Sequence, residues 1–285
     1  MSANALVTYG RMIKLSHSIF AMPFALSAAV LASREHPVSP GQVALIVGCM
    51  VTARSCAMGF NRIVDRNFDA KNPRTAVREI PSGQISVGVA NAITAAAAAL
   101  FVALAFALNP LCGWLSPVAL GVTCGYSYAK RFTALVHVWL GVALGLAPIA
   151  VWIALTGGVE PVALVLAGAV ASWVAGFDIL YSLQDEAFDR GQGLHSIPVA
   201  LGERGAMGVS ALLHVVTVAL LACVPGFSPL GFGYWAGFAV IAAVLAYEHW
   251  IVRPGDLSRI DKAFFDLNGY VSLLFFGGVC LGRFV

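Results

Sequence analysis

Nine apolar runs follow one another along the whole chain, joined by short polar connections: Ile19–Ala32, Val43–Ile63, Val87–Leu108, Leu111–Tyr128, Leu135–Leu155, Val162–Leu183, Ala206–Val224, Leu230–Val252 and Ala263–Leu281. Runs of about 20 residues match the thickness of a bilayer when helical, whereas membrane strands need only about 10. Inside lipid, backbone groups must be satisfied internally, so each run is expected to close its own hydrogen bonds as a helix. Only 11% of the residues are charged, against about a quarter in soluble domains. The pattern predicts an all-α, polytopic membrane protein with about nine transmembrane helices, forming one domain over residues 1–285. Arg11 and Lys14 ahead of the first run resemble the start of a signal peptide, but the same pattern recurs eight more times.

Charge placement orients the chain. If the runs cross in alternation, fourteen of the seventeen Lys and Arg residues fall on one side, including the loop with Arg62, Arg66, Lys71, Arg74 and Arg78. Short basic loops stay cytoplasmic, so that side is read as the cytoplasmic face of the cell (inner) membrane. The opposite side holds only Arg34 and Arg283, and Arg54 falls within the second run. The net charge of +3 matters less than this placement, and no nucleic-acid partner is expected. The six cysteines lie inside apolar runs without a C-x-x-C pair, and the six histidines are scattered. Neither a disulfide framework nor paired-histidine ligation is supported.

Two polar segments interrupt this pattern on the cytoplasmic side. Asn61 to Asp69 reads NRIVDRNFD, and Tyr181 to Asp189 reads YSLQDEAFD. Asn61, Asp65 and Asp69 are spaced by four, as are Asp185 and Asp189, and the two aspartate pairs stand 120 residues apart. On a helix such spacing gathers oxygens into one stripe. A single D-x-x-x-D is commonly a solvated helix end. Two copies, each at the same end of a span, suggest one device built twice, with carboxylates facing each other. Like charges so gathered need neutralising, and hard oxygen donors in that number suit Mg²⁺ that shares a phosphate-bearing substrate. Asp65, Asp69, Asp185 and Asp189 are the candidate metal ligands, with Asn61 a further donor.

The neighbouring basic residues fit such a substrate. Arg74 and Arg78, in the loop that leaves the first motif, and Lys130 and Arg131 are candidate diphosphate ligands, because arginine forks and lysine point charges suit a phosphate leaving group. Lys130 and Arg131 read equally well as membrane-flanking anchors. Asp178 lies seven residues before Asp185, hence on the same face about two turns deeper, and Arg54 stands seven before Asn61. Ionisable residues at that depth line a cavity or pair with one another. Arg54 is therefore read either as a brace for Asp178 or as a site for a carboxylate. The polar segments Asp69–Gln84 and Arg190–Gly205, broken by Gly and Pro, are expected to act as lids.

At these residues the chain resembles the UbiA superfamily of membrane prenyltransferases, through N-x-x-x-D-x-x-x-D and a second D-x-x-x-D preceded by Tyr181. The likeness extends through NPRT (Asn72–Thr75), IPSG (Ile80–Gly83), YSYAKR (Tyr126–Arg131) and GLHSIP (Gly193–Pro198). It departs where Arg62 follows Asn61, a place where many members carry Asp. The resemblance implies an isoprenoid-synthase-like helical bundle, Mg²⁺ as cofactor, a polyprenyl diphosphate and an aromatic acid as partners beside membrane lipid, and Tyr181 as a substrate contact. The most similar branch transfers polyprenyl groups to 4-hydroxybenzoate for ubiquinone; prenylation of a dihydroxynaphthoate for menaquinone, haem farnesylation and chlorophyll-type esterification are the alternatives. A secondary transporter is the competing class, but transporters place their ionisable residues near the midplane on broken helices.

Overall fold

The computed structural model describes residues 3–13 and 22–284. Lys14 and the start of the run at Ile19 lie outside them. The helices, in order, are α1 Ala3–Met12, α2 Met22–Ala32, α3 Pro40–Val64, α4 Arg66–Asp69, α5 Val87–Leu108, α6 Pro110–Ala129, α7 Val136–Thr156, α8 Pro161–Ser182, α9 Glu186–Gly191, α10 Ile197–Phe227, α11 Phe232–Ile251 and α12 Asn268–Phe284. A 3₁₀ turn, Leu183–Asp185, follows α8, and a π-helical turn, Lys262–Leu267, precedes α12. Among the described residues β structure is limited to one isolated bridge, Arg253 to Asp256.

This is an all-α, multi-pass membrane protein, and among the described residues each apolar run falls on helix. Six helical segments among the described residues are long and apolar enough to cross a membrane: Pro40–Val64, Val87–Leu108, Val136–Thr156, Pro161–Gly191, Ile197–Phe227 and Lys262–Arg283. The described part of α2 is shorter, at 11 residues. In α6 and α11 polar and small residues dilute the apolar run, notably Glu248 and His249 near the end of α11. α10 starts nine residues before its run and kinks at Gly202, whose φ of 69° suits a residue without Cβ.

Two compact units result, one of residues 1–18 and 40–128, the other of 19–39 and 129–285. In the first, α3 packs along α5. Tyr9, Met12 and Ile13 of α1 and the residue after it join Ile63, Ile85, Ala90 and Ile93 in an apolar core. The Tyr9 hydroxyl donates to the Ser55 carbonyl at 2.8 Å and bonds the Thr94 hydroxyl at 2.9 Å. Gly59 leaves the space for it, since a Cβ there would overlap the phenol.

In the second unit, α8 is the central helix, with Leu166, Val170, Trp173, Val174 and Ile179 all buried. α7 approaches it through Gly141 and Gly145, one turn apart. A Cβ on Gly145 would stand 2.7 Å from the Ala167 carbonyl oxygen, and one on Gly141 would collide with that of Ala171. Such small-residue seams let helices meet closely where lipid supplies no hydrophobic drive. Gly141→Ala is expected to destabilise the protein by about 1–3 kcal/mol, the usual cost of overpacking. Thermal melting in detergent checks this, and an unchanged midpoint would mean the seam is not closely packed. α12 packs on α11 and α2. Arg283, which closes α12, donates to the carbonyls of Val30 and Ser33 at 2.9 and 3.1 Å, satisfying the end of α2.

Candidate active site

The first motif spans the end of α3 and the whole of α4. Backbone bonds from Asp65 to the Asn61 carbonyl (2.9 Å) and from Asp69 to that of Asp65 (2.8 Å) keep the four-residue spacing. The helix is nevertheless bent between them, because Asp65 has φ −90° and ψ 2°, the sparsely populated bridge region that active-site residues often occupy. In the second motif α8 ends at Ser182, the 3₁₀ turn tightens the chain, and Asp185 sits at φ −101° and ψ −1° before α9 begins. Neither motif is a straight stripe on one helix. The common departure turns the first aspartate of each pair out of helical register in the same way.

The parallel continues in the side chains. Asp65 and Asp185 are half-buried, while Asp69 and Asp189 are buried. Each buried aspartate carries a basic partner: Arg78 Nη1 lies 2.6 Å from Asp69 Oδ1, and Lys130 Nζ 2.8 Å from Asp189 Oδ2. Charge-assisted bonds of this length are strong. They give Arg78 and Lys130 carboxylate partners within their own units. The Asn61 amide donates to Asp65 Oδ2 at 2.9 Å. Asp69 Oδ2 is buried without a hydrogen-bond partner, so one oxygen of this carboxylate keeps its lone pairs available.

The loops are tied to the motifs that they follow. Thr75 donates its hydroxyl to the Asp69 carbonyl at 3.1 Å, and Asn72 Oδ1 accepts from the Arg74 amide at 3.0 Å. Together with the Arg78 pair, these bonds fold residues 70–86 back onto the first motif. Leu194 and His195 donate their amides to the carbonyls of Asp189 and Lys130, at 2.8 and 2.7 Å, pinning the second loop. Both loops end alike, with Ser86 capping α5 and Ser196 capping α10, each accepting from the amide three residues on at 3.3 Å. Arg74 and Arg131 are exposed.

Arg62 is explained by structure. It is buried, and its Nε donates to the Met12 carbonyl at 3.4 Å, so it holds the end of α1 rather than extending the acidic set. Arg54 lies partly buried on α3, with its Nε buried and lacking a hydrogen-bond partner. Asp178 has a partner that the sequence did not disclose: His137 Nδ1, on α7, lies 2.7 Å from Asp178 Oδ2. Tyr181 stacks on Phe264 with ring centroids 4.0 Å apart, and Phe177 meets the same ring edge-on at 5.3 Å. Sequence reading missed His137 and the aromatic group of Phe177, Phe264 and Phe265. Only the four-residue spacing of Phe177 and Tyr181 on α8 could have signalled part of it.

The histidines are also less scattered than their spacing suggests. His214 Nδ1 lies 2.9 Å from His249 Nε2, in a buried network with Glu248, Asn268 and Trp173. Among the described residues one set of three His, Cys, Asp or Glu donors comes within 4.8 Å, namely Glu35, His36 and Glu160. It is partly exposed, at the end of α8 away from Asp185.

Residues 21–274 match the UbiA prenyltransferase family. The chain is 30% identical over 282 residues to the 4-hydroxybenzoate octaprenyltransferase of Azoarcus sp. (strain BH72), covering 98% of this chain and 97% of that one. Its fold is similar to the apo structure of a UbiA homolog from Aeropyrum pernix K1, with a TM-score of 0.86 and 33% identity over 94% of this chain and 98% of the other. A UbiA homolog from Archaeoglobus fulgidus bound to GPP and Mg²⁺ shares the fold at a TM-score of 0.70 and 21% identity, over 94% and 99% of the two chains. With nearly its full length matched, this chain belongs to the UbiA prenyltransferase family.

Proposed function

We propose that the protein transfers a polyprenyl group from its diphosphate to a ring carbon of an aromatic acid of the 4-hydroxybenzoate type, releasing diphosphate, in quinone biosynthesis. The observation that carries this reading is the twofold aspartate device: in each motif a half-buried aspartate at bridge-region dihedrals precedes a buried one held by a basic side chain. The curated relative's name supplies the acceptor class. The whole chain acts as one catalytic domain in the cell membrane, with both motifs at the cytoplasmic face, as the distribution of basic residues favours.

The residues suit Mg²⁺. Asp69 Oδ2 is a buried oxygen with lone pairs free, and the donors are all hard oxygens. Asp65, Asp69, Asp185 and Asp189 would hold the ion, with Asn61 fixing Asp65. When bound, it supplies positive charge that offsets the diphosphate. Arg74, Arg78, Lys130 and Arg131 bind the phosphates and stabilise the charge that builds on them as the allylic C–O bond breaks. The faces of Tyr181, Phe177 and Phe264 offer electron density to the allylic cation, and the apolar helices keep water away from it. Arg54 receives the carboxylate of the acceptor.

Membranes containing the protein, Mg²⁺, a polyprenyl diphosphate and a panel of aromatic acids test the reading, with products identified by mass. A prenylated 4-hydroxybenzoate is the expected product; prenylated dihydroxynaphthoate alone would move the acceptor to the menaquinone class, and no alkylated aromatic would overturn the reading. Arg54→Ala is expected to raise the acceptor KM about tenfold or more, the scale of one charge-assisted hydrogen bond, while leaving the KM for prenyl diphosphate unchanged.

A further inference from the structure

Aromatic prenylation ends with a proton to be removed. When a ring carbon attacks the allylic cation, that carbon carries both the new C–C bond and its original hydrogen. The C–H bond then breaks, its electron pair restores the aromatic sextet, and the proton must pass to a base. Three of the four motif aspartates are already engaged by donors. Asp69 and Asp189 are paired to Arg78 and Lys130, and Asp65 accepts from Asn61.

Asp178 stands apart from both motifs. It lies on α8, seven residues before Asp185 and outside the four-residue spacing of the second motif. Its contact with His137 is made by Oδ2 alone, with Nδ1 at 2.7 Å. The carboxylate is the open end of the couple: the Asp178 side chain is 22% exposed, and that of His137 is 1% exposed. His137 itself is buried. Ser182 Oγ lies 3.5 Å from its Nε2 and donates its hydroxyl to the Ile179 carbonyl at 2.8 Å. The arrangement inverts the usual histidine and aspartate order, with the imidazole behind and the carboxylate outward. A donor from Nδ1 to one oxygen fixes the rotamer and directs the other oxygen away from the ring.

We propose that Asp178 is the base that takes the ring proton of the acceptor after C–C bond formation, and that His137 is the residue that positions it. This rests on the aromatic-acceptor reading given above. No redox partner is needed: the carboxylate gains the proton, and diphosphate has already left with the electrons of the C–O bond.

The test uses the full-length protein in membranes, with 4-hydroxybenzoate and the same acid deuterated at the ring positions beside its hydroxyl. In the unaltered protein ring deuteration is expected to change kcat little. In Asp178→Asn, kcat for prenyl transfer should fall about a hundredfold, and a primary isotope effect of about two or more should emerge as proton removal becomes limiting. Diphosphate release without acceptor should stay within about twofold. His137→Gln should show a smaller loss with an isotope effect and a shifted acid limb in the pH profile of kcat, whereas His137→Asn, whose amide can donate from near the position of Nδ1, should recover much of the rate. A merely structural role for His137 would lower all rates alike, move no pH limb and distinguish neither substitution, and would overturn the positioning assignment. An Asp178→Asn protein that slows diphosphate release equally, or shows no isotope effect, would overturn the base assignment while leaving aromatic prenylation standing. Unaltered protein that releases diphosphate yet alkylates no aromatic acid would overturn both.

Discussion

Asp65→Asn and Asp185→Asn are each expected to lower turnover at least about a hundredfold, the scale seen when one preorganised electrostatic element is removed from an active site. Both residues are half-buried and sit at the bent position of their motifs, where ψ is 2° and −1°. Substitution by Asn keeps the size and one oxygen and removes only the charge. Packing around α3 and α8 should therefore survive, and melting temperature should hardly move. The loss should appear in kcat for transfer, and EDTA should abolish activity in the unaltered protein, with Mg²⁺ restoring it. Near-normal turnover in either variant, or full activity in EDTA, would remove the metal from the mechanism. The twofold local geometry makes a sharper demand as well. If one motif were merely a solvated helix end, only the other substitution would matter.

Lys130→Met is expected to produce the second large effect, in both activity and stability. Its ammonium is 2.8 Å from Asp189, whose side chain is 3% exposed. Removing one member of a buried pair strands the other charge, which costs about 3–5 kcal/mol where both are fully buried. The Lys130 side chain is 32% exposed, so solvent screening brings the expected loss down to about 1–3 kcal/mol. Turnover should fall about a hundredfold if the amine also stabilises charge on the leaving diphosphate, as proposed above. In the double variant Lys130→Met with Asp189→Asn, the stability losses should be strongly non-additive, since no charge remains unpaired. Melting in detergent and steady-state kinetics on the four proteins measure this. Additive losses would show that the pair contributes nothing as a pair.

The sequence by itself determined the helices and the local spacing of the two motifs. An apolar run long enough to cross lipid has one way to satisfy its backbone, so Val87–Leu108 emerges unchanged as α5, and Val43–Ile63 and Val162–Leu183 become α3 and α8 to within three residues. The four-residue spacing of Asn61, Asp65 and Asp69 likewise survives as local hydrogen bonds. Spacing of that kind carries information only within a turn or two of helix. The bend at Asp65 and the 3₁₀ turn before Asp185 depend on how each loop folds back on its motif, through Thr75 and Arg78 in one case and Leu194 in the other. The partners of the buried charges are set by which helices lie side by side. Lys130 reaches Asp189 across 59 residues, and His137 reaches Asp178 across 41, because the Gly141 and Gly145 seam brings α7 close against α8. No periodicity encodes those pairings: a buried carboxylate must find a donor, and only packing decides which donor stands within reach.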